Sequence, residues 1–154
     1  MKIEDIKQSG GPLPINKKIL LNIICIQIAF KEDLNEILKF HTLSKEQYDV
    51  LVLLGNLNGK CANMYMIQER MASKTSNTTR LIDKLLDKEL VTREECSENR
   101  RKIDITITRK GIALLEEVAP KVLAYETKLV DNLTLDEKES LNILLEKYRN
   151  SNYK

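Results

Sequence analysis

The sequence has few of the residues that most often carry catalysis or hold cofactors. Its 154 residues include one histidine and no tryptophan, and only 5% are aromatic. This disfavours a histidine-based catalytic triad and an aromatic platform for stacking bases. The five glycines form neither GxGxxG nor GxxxxGK[ST], the motifs of the common nucleotide-binding loops. We therefore expect a protein that is not an enzyme and that uses neither a metal nor another cofactor.

The three cysteines and the apolar runs indicate the cellular compartment of the protein. Cys25, Cys61 and Cys96 include no CxxC pair, and the first ten residues are polar and mixed in charge. This pattern predicts a reducing cytoplasmic location rather than secretion. The longest apolar stretch, Ile19–Phe30, is too short to span a bilayer, so no membrane association is expected. Cys25 has an isoleucine on each side and is predicted to lie in the core, but thiol sensing by any of the three cysteines stays open.

Positive charge is concentrated in the middle of the chain. Residues 60–110 carry 12 basic and 8 acidic groups, whereas residues 1–59 carry 7 of each. Residues 111–154 carry 6 basic and 8 acidic groups, so the formal net charge of +2 conceals an excess of four positive charges in the central third. An anionic partner is therefore expected to bind there.

Hydrophobic periodicity predicts a mostly helical chain. From Asn16, apolar residues recur every three or four positions, as expected of a long helix: Ile19, Ile23, Ile26, Phe30, Leu34 and Ile37. Leu20, Ile24 and Ile28 make a second face of this helix apolar. A helix that is apolar on two sides needs two surfaces to pack against, so we expect one face to pack within its own domain, and a second subunit is a natural partner for the other.

Capping residues and an alternation of polar and apolar residues predict the remaining helices and strands. Ser44 and Gln47 predict a capping box that opens a second helix, and Asn63 is the predicted cap of a short third helix. Strict alternation from Lys102 to Thr108 predicts a half-buried strand. The other predicted parts are a buried stripe on the second helix (Tyr48, Leu51, Val52, Leu54), a polar-fronted helix at about 75–88, a strand Leu90–Glu95, a turn Cys96–Arg101, a helix at about 109–131 capped by Thr108, and a last helix opened by Thr134 and Glu137.

This order of elements is typical of a helix-turn-helix followed by a β-hairpin wing. A helix fits the major groove of DNA, and small polar side chains at its N-terminal end can reach base edges and phosphates. A basic hairpin tip suits the minor groove. The predicted DNA-binding residues are Lys74, Thr75, Ser76, Asn77, Thr79, Arg80 and Lys84 on the helix, and Asn99, Arg100, Arg101 and Lys102 on the wing. Arg93 is expected either to pair with Glu95 or to contact a phosphate.

Three segments resemble the MarR family of winged helix-turn-helix regulators. The stretch from Leu43 to Leu51 is similar to the family's LTxxQxxVL opening. Residues 78–93, TTRLIDKLLDKELVTR, resemble its recognition helix and first wing strand, and residues 97–111, SENRRKIDITITRKG, resemble its wing and the motif that follows. The resemblance covers roughly residues 16–149.

The resemblance implies a mostly α-helical fold with a small β-hairpin wing. It implies a flexible tail at 1–15 and one domain at 16–154, with dimerisation helices at 16–42 and 109–150 and a winged helix-turn-helix at 44–108. The expected function is a ligand-responsive repressor that binds a palindromic DNA operator as a homodimer. The operator and the small-molecule effector are not identified by the sequence.

Two positions depart from the family pattern. Asn99 stands where the family usually has an Asp two residues before its key arginine, so a charge-assisted bond to Arg101 is lost. Glu89 stands where glycine is common, which costs on the order of 1 kcal/mol if the backbone there is left-handed.

Other interpretations of the same residues stay open. The polar run at 74–80 also suits a solvated helix face, and the arginines of the wing also suit a solubility patch. A winged-helix module that has lost DNA binding and docks a protein instead is the alternative function.

Overall fold

The computed structural model describes residue 3 and residues 12–71, 78–96 and 99–152, with only the backbone described at 96, 99–102 and 152. The protein is mostly helical with one small antiparallel sheet, which confirms the predicted fold class. Its elements, in chain order, are α1 Ile15–Lys39, α2 Lys45–Gly55, β1 Ala62–Asn63, α3 Met64–Arg70, α4 Thr78–Asp87, β2 Val91–Cys96, β3 Asn99–Ile107, α5 Arg109–Leu129 and α6 Leu135–Asn152. Most of the predicted tail lies outside the described residues.

Predicted caps set the starts of three helices, α2, α3 and α6. The Ser44 hydroxyl accepts a hydrogen bond from the Gln47 backbone N–H at 3.3 Å, and Gln47 Oε1 accepts one from the Ser44 N–H at 3.1 Å, which completes the capping box. Asn63 Oδ1 accepts from the Met66 N–H at 2.8 Å at the start of α3. Thr134 and Glu137 form the same reciprocal pair before α6. Each cap gives a partner to N–H groups that the first helical turn leaves without one.

The sheet has three strands in the order β1-β3-β2, all antiparallel. The wing strands β2 and β3 pair from Val91↔Ile107 to Cys96↔Asn99, with an irregularity between Glu95 and Cys96. The two-residue strand β1, which the sequence did not predict, pairs Ala62 with Ile105. It makes β3 the central strand and joins the wing to the start of α3.

The core of the first compact unit, residues 1–116, lies between α1, α2, α4 and the sheet. Leu38, Leu51, Leu54, Ile67, Leu85 and Ile105 are completely buried. The stripe predicted for α2 is partly wrong: Leu51 and Leu54 are buried as expected, but Tyr48 and Val52 are only half-buried. Val50 and Gln47 are buried in their place. The buried positions 47, 50, 51 and 54 follow one another at spacings of three, one and three residues, so α2 buries a single stripe that is rotated about the helix axis from the predicted one.

The second compact unit, residues 117–154, holds the end of α5 and all of α6. Pro120 lies inside α5, and α5 continues beyond it to Leu129. Every described side chain of α6 from Glu139 onward is exposed, and several of them are large and apolar: Leu141, Ile143, Leu144, Leu145 and Tyr148.

The N-terminal half of α1 is also apolar and exposed. Ile19, Leu20, Ile24, Ile26 and Ile28 are all at least 46% exposed, whereas Leu34 and Leu38 near the end of the helix are buried. The prediction that one face of α1 packs within its own domain is therefore confirmed only for its last third. Cys25 is half-buried rather than in the core, and Cys61 is exposed. No helix in the described ranges has the length and apolar character needed to cross a bilayer.

Candidate nucleic-acid interface

Helices α3 and α4 form the pair predicted as a helix-turn-helix. The structure brings α3 and α4 into contact with each other, and α3 also contacts β1 and β3. The segment between the helices, residues 72–77, lies outside the described residues. The predictions for Lys74, Thr75, Ser76 and Asn77 fall in this segment and stay predictions.

Helix α4 has one buried and one exposed face. Thr78, Ile82 and Leu85 are buried at spacings of four and three residues. Thr79, Arg80, Asp83, Lys84 and Asp87 are exposed. Because Ile82 and Leu85 are at most 1% exposed, α4 is fixed to the core by one face and presents polar side chains on the other. This is the arrangement that a groove-binding helix needs.

The wing is longer than the sequence indicated. The predicted turn at 96–101 is wrong in its bounds, because Cys96 belongs to β2, and Asn99, Arg100 and Arg101 belong to β3. Residues 97 and 98 lie outside the described residues. Lys102 also lies in β3, as predicted. Cross-strand pairing of Cys96 with Asn99 extends the ladder almost to the tip. The backbone therefore places Asn99, Arg100, Arg101 and Lys102 next to one another at the distal end of the hairpin.

Arg93 connects the wing to helix α4. Its Nη1 lies 3.7 Å from Oδ1 of Asp83 on α4, so Arg93 pairs across elements rather than with Glu95, and contact with a phosphate, the other alternative, stays a prediction. Both side chains are about half-exposed, so we expect at most about 1 kcal/mol of stabilisation. The contact adds to the backbone packing of α4 on β2 and favours one orientation of the wing.

Helix α4 ends in a Schellman motif that requires a left-handed residue. The Leu90 N–H donates to the Leu85 carbonyl at 2.9 Å, and the Glu89 N–H donates to the Leu86 carbonyl at 2.8 Å. Glu89 occupies the left-handed position with φ 60°, so the strain expected for a residue other than glycine is present. A hydrogen bond from Lys110 Nζ to Glu89 Oε2 at 2.8 Å, together with the charge of Lys110, lowers the pKa of Glu89. Thr108 Oγ1 donates to the Glu89 carbonyl at 2.8 Å.

Gly111 allows α5 to begin directly against this helix end. A Cβ atom on Gly111 would overlap the Leu90 carbonyl oxygen and lie 2.7 Å from Cγ1 of Ile107. The Gly111 N–H donates to Thr108 Oγ1 at 3.0 Å, which confirms Thr108 as the cap of α5. The glycine of the predicted ITRKG motif is therefore required by close backbone approach.

Lys88 makes a contact that no local pattern in the sequence indicates. Its Nζ donates to the Thr42 carbonyl and, at 3.2 Å, to Oε1 of Gln47. We call these two contacts the Lys88 bridge; it joins the end of α4 to the α1–α2 connection. Burial and then the charge of Lys84 lower the pKa of Lys88. Its partners lie 46 and 41 residues away, and a lysine after an amphipathic helix ordinarily predicts only solvation.

A helix pair with an exposed polar face, followed by a two-stranded wing with a basic tip, defines a winged helix-turn-helix protein. No group of histidine, cysteine or acidic residues within the described ranges is arranged to hold a metal. Residues 43–103 match the model of the MarR family. Over its winged helix-turn-helix segment the chain is therefore similar to the MarR family of transcriptional regulators.

Individual relatives agree with this assignment. The chain is 26% identical over 133 residues to the transcriptional repressor MprA of Escherichia coli K12, covering 85% of this chain and 76% of the relative. It is similar, with a TM-score of 0.75 and 25% identity, to the crystal structure of a mutant MarR from E. coli complexed with operator DNA, covering 89% and 99% of the two chains. It also shares its fold with the RdhR-CbdbA1625 regulator in a 2,4-dichlorophenol-bound form, with a TM-score of 0.81, 18% identity, and coverage of 94% and 88%. These relatives are regulators rather than enzymes.

Proposed function

We propose that this protein is a repressor that binds a palindromic operator in double-stranded DNA as a homodimer and responds to a small molecule. The observation that carries this proposal is the exposed polar face of α4. The opposite face of α4 is held in the core by the buried Ile82 and Leu85, and the basic wing follows α4 directly in the chain. A similar protein has been crystallised with operator DNA, and the relative MprA is a repressor. Both facts support the proposal that this protein binds DNA and represses transcription. Because the proposed ligand is DNA, we also propose that the protein acts in the cytoplasm.

In this proposal, Thr79 and Arg80 approach base edges and phosphates, together with the four residues at 74–77. Arg100, Arg101 and Lys102 supply charge to the minor groove, and Asn99 supports them by hydrogen bonding. Lys84 lies further along α4, beside two acidic residues, and contributes less to DNA binding than Thr79 and Arg80 do.

The homodimer would form through the helices at 16–42 and 109–150. Their exposed apolar side chains in α1 and α6 support this part of the proposal, because an apolar surface of this extent gains free energy when a second copy covers it. Two-fold symmetry then predicts two half-sites about one DNA turn apart.

The decisive experiment is a gel shift and footprint on the DNA immediately upstream of the protein's own gene, at two salt concentrations. We expect a protected palindrome and an affinity that falls steeply with salt, because phosphate neutralisation releases counterions. A scrambled fragment of the same length is the control. Weak binding that is equal on both fragments, followed by failure of a genome-wide binding selection, would contradict the proposal and favour a protein-docking module.

A further inference from the structure

The two residues directly after α4, Lys88 and Glu89, attach to different elements although they are neighbours in the chain. Lys88 reaches the α1–α2 connection through the Lys88 bridge. Glu89 reaches the first turn of α5 through its contacts with Lys110 and Thr108. We call these two sets of contacts together the α4 clamp. All the elements that it joins lie in residues 1–116, the first compact unit.

The Lys88 half of the clamp ends on acceptors that other contacts hold in place. Gln47 is only 3% exposed, and its Oε1 also accepts the Ser44 N–H at 3.1 Å. Thr42 occupies the left-handed position of a second Schellman motif, at the end of α1, with φ 54°. The ammonium group of Lys88 therefore takes its position from two acceptors that are fixed without it.

The Glu89 half of the clamp begins at a strained backbone position. Glycine would adopt φ 60° without the strain that a glutamate meets there. Glycine would also keep the backbone carbonyl that accepts from Thr108 and would lose only the hydrogen bond from Lys110. Because the Lys110 and Glu89 side chains are 59% and 79% exposed, their ion pair adds little to stability. Stability therefore does not account for the glutamate.

The clamp lies at the end of α4 opposite to the residues proposed to contact DNA. The burial of Ile82 and Leu85 is non-directional, so it fixes α4 against the core more firmly than it fixes the tilt of the helix. Arg80 lies about 12 Å along the helix axis from the clamp, so a tilt of about 10° would move it by roughly 2 Å. A shift of this size breaks a hydrogen bond. Contacts on two sides of the same helix end oppose such a tilt.

We propose that Lys88 and Glu89 are positioning residues for DNA binding, which hold α4 at the tilt that its exposed face needs in the major groove. Neither residue is assigned a contact with DNA. The effect on DNA binding rests on the proposed function, whereas the attachment of α4 can be measured on the protein alone.

Glu89→Gly separates positioning from stability and from charge. Glycine relieves the left-handed strain, so the midpoint of urea unfolding should stay the same or rise. Loss of a negative charge would by itself strengthen DNA binding. We nevertheless expect affinity for the footprinted operator, measured by gel-shift titration, to fall about threefold to fivefold, the upper range for an exposed ion pair. Affinity equal to or above that of the wild type would overturn the proposal, as would a fall that accompanies a matching loss of stability.

An exchange of charges tests the contact between Glu89 and Lys110 directly. Lys110→Glu alone should weaken operator binding. Adding Glu89→Lys restores an opposite pair at the net charge of the wild type, and affinity should return to within about twofold of the wild-type value. A double variant that does not recover would show that Lys110 acts through its charge alone, which would overturn the role of Glu89.

Lys88→Met tests the other half of the clamp, with Lys39→Met as the matched control. Gln47 Oε1 keeps the Ser44 N–H as a donor in the Lys88 variant, so the fold should persist. Lys39 also lies at the end of α1, and its Nζ is 3.8 Å from the exposed Glu36. Lys88→Met should weaken operator binding about tenfold, as for the loss of one hydrogen bond with a charged donor, and Lys39→Met much less. Equal losses would show a general charge effect and contradict the role of Lys88.

Amide hydrogen exchange measures the attachment of α4 without DNA. The N–H groups of Glu89 and Leu90 make the two hydrogen bonds that close the helix. Lys88→Met and Lys110→Glu should each speed exchange at these two amides, and Lys39→Met should not. Unchanged exchange in both clamp variants would overturn the attachment. Faster exchange in a protein that binds no DNA would instead remove the proposed function and leave the clamp as a feature of the fold.

Discussion

The core of the first compact unit and helix α6 of the second unit place their leucines in opposite environments. In residues 1–116, Leu51, Leu54 and Leu85 are completely buried. In residues 117–154, Leu141, Leu144 and Leu145 on α6 are exposed to 43%, 63% and 45%. Burial of apolar area contributes roughly 25 cal/mol per Å². The first unit therefore gains this free energy within one chain, and α6 gains it only when another surface covers it.

This difference indicates that folding and assembly depend on different residues. The first unit has an interior, a sheet and capped helices that hold the proposed DNA-contacting face. The apolar residues of α6 instead suit the proposed dimer. Paired substitutions, one in each unit, test whether folding and assembly depend on different residues.

The largest expected effect comes from truncating a buried leucine. Leu85→Ala should lower the free energy of unfolding by about 2–5 kcal/mol, because it leaves a cavity beneath α4. Urea denaturation followed by circular dichroism measures the loss. The matched variant is Leu144→Ala, whose loss should depend on protein concentration, since subunit association contributes to it. A concentration-independent loss for Leu144→Ala would contradict its place in a dimer interface.

Removing a wing arginine should weaken binding to the operator. Arg101→Ala should cost about 1–3 kcal/mol of binding free energy, measured by gel-shift titration. Arg149→Ala removes the same charge from the last turn of α6 and serves as the control. If both variants bind alike, the wing role assigned to Arg101 is ruled out.

Substituting an exposed residue of α4 should change selectivity as well as affinity. Arg80→Ala should cost roughly 1–3 kcal/mol on the footprinted operator and less on a random fragment, because only the operator offers its base edges. Competition binding with the two fragments gives the ratio. Equal losses on both would assign Arg80 to phosphates alone.

The smallest expected effect is a pH dependence that differs between the units. The pKa of Glu89 is lowered by its hydrogen bond from Lys110 and by the charge of Lys110. The pKa of Glu137 is lowered by hydrogen bonds from the backbone N–H and then the hydroxyl of Thr134. Because both values are lowered in the folded protein, each contribution to stability is present above the ordinary pKa of a glutamate and is lost as the pH falls through the folded value.

Salt is expected to affect the contributions of Glu89 and Glu137 to stability differently. High salt should reduce the contribution of Glu89, which involves an exposed ion pair, and should leave that of Glu137 largely intact. Urea unfolding of Glu89→Gln and Glu137→Gln across acidic pH, at low and high salt, measures both effects. An equal salt response at the two positions would show that the charge of Lys110 is not what distinguishes them.

Features that depend on neighbours in the chain could be predicted from the sequence alone. The caps Ser44, Asn63, Thr108 and Thr134 each act on N–H groups within three residues, so their roles could be predicted and are confirmed. Ile105 and Ile107 are buried as the alternation in β3 indicated, because side chains of a strand alternate between two faces. The order of elements indicated a winged helix-turn-helix for the same reason.

Contacts between residues that are far apart in the sequence became visible only in the tertiary structure. The strand β1 exists only because β3 lies beside it, and Arg93 pairs with Asp83 because β2 packs on α4. The Lys88 bridge spans more than 40 residues, and no local pattern in the sequence encodes it. Periodicity showed that both α1 and α4 have apolar faces. Which of those faces would be buried depended on where the other elements pack, because the free energy of burial is realised only by contact.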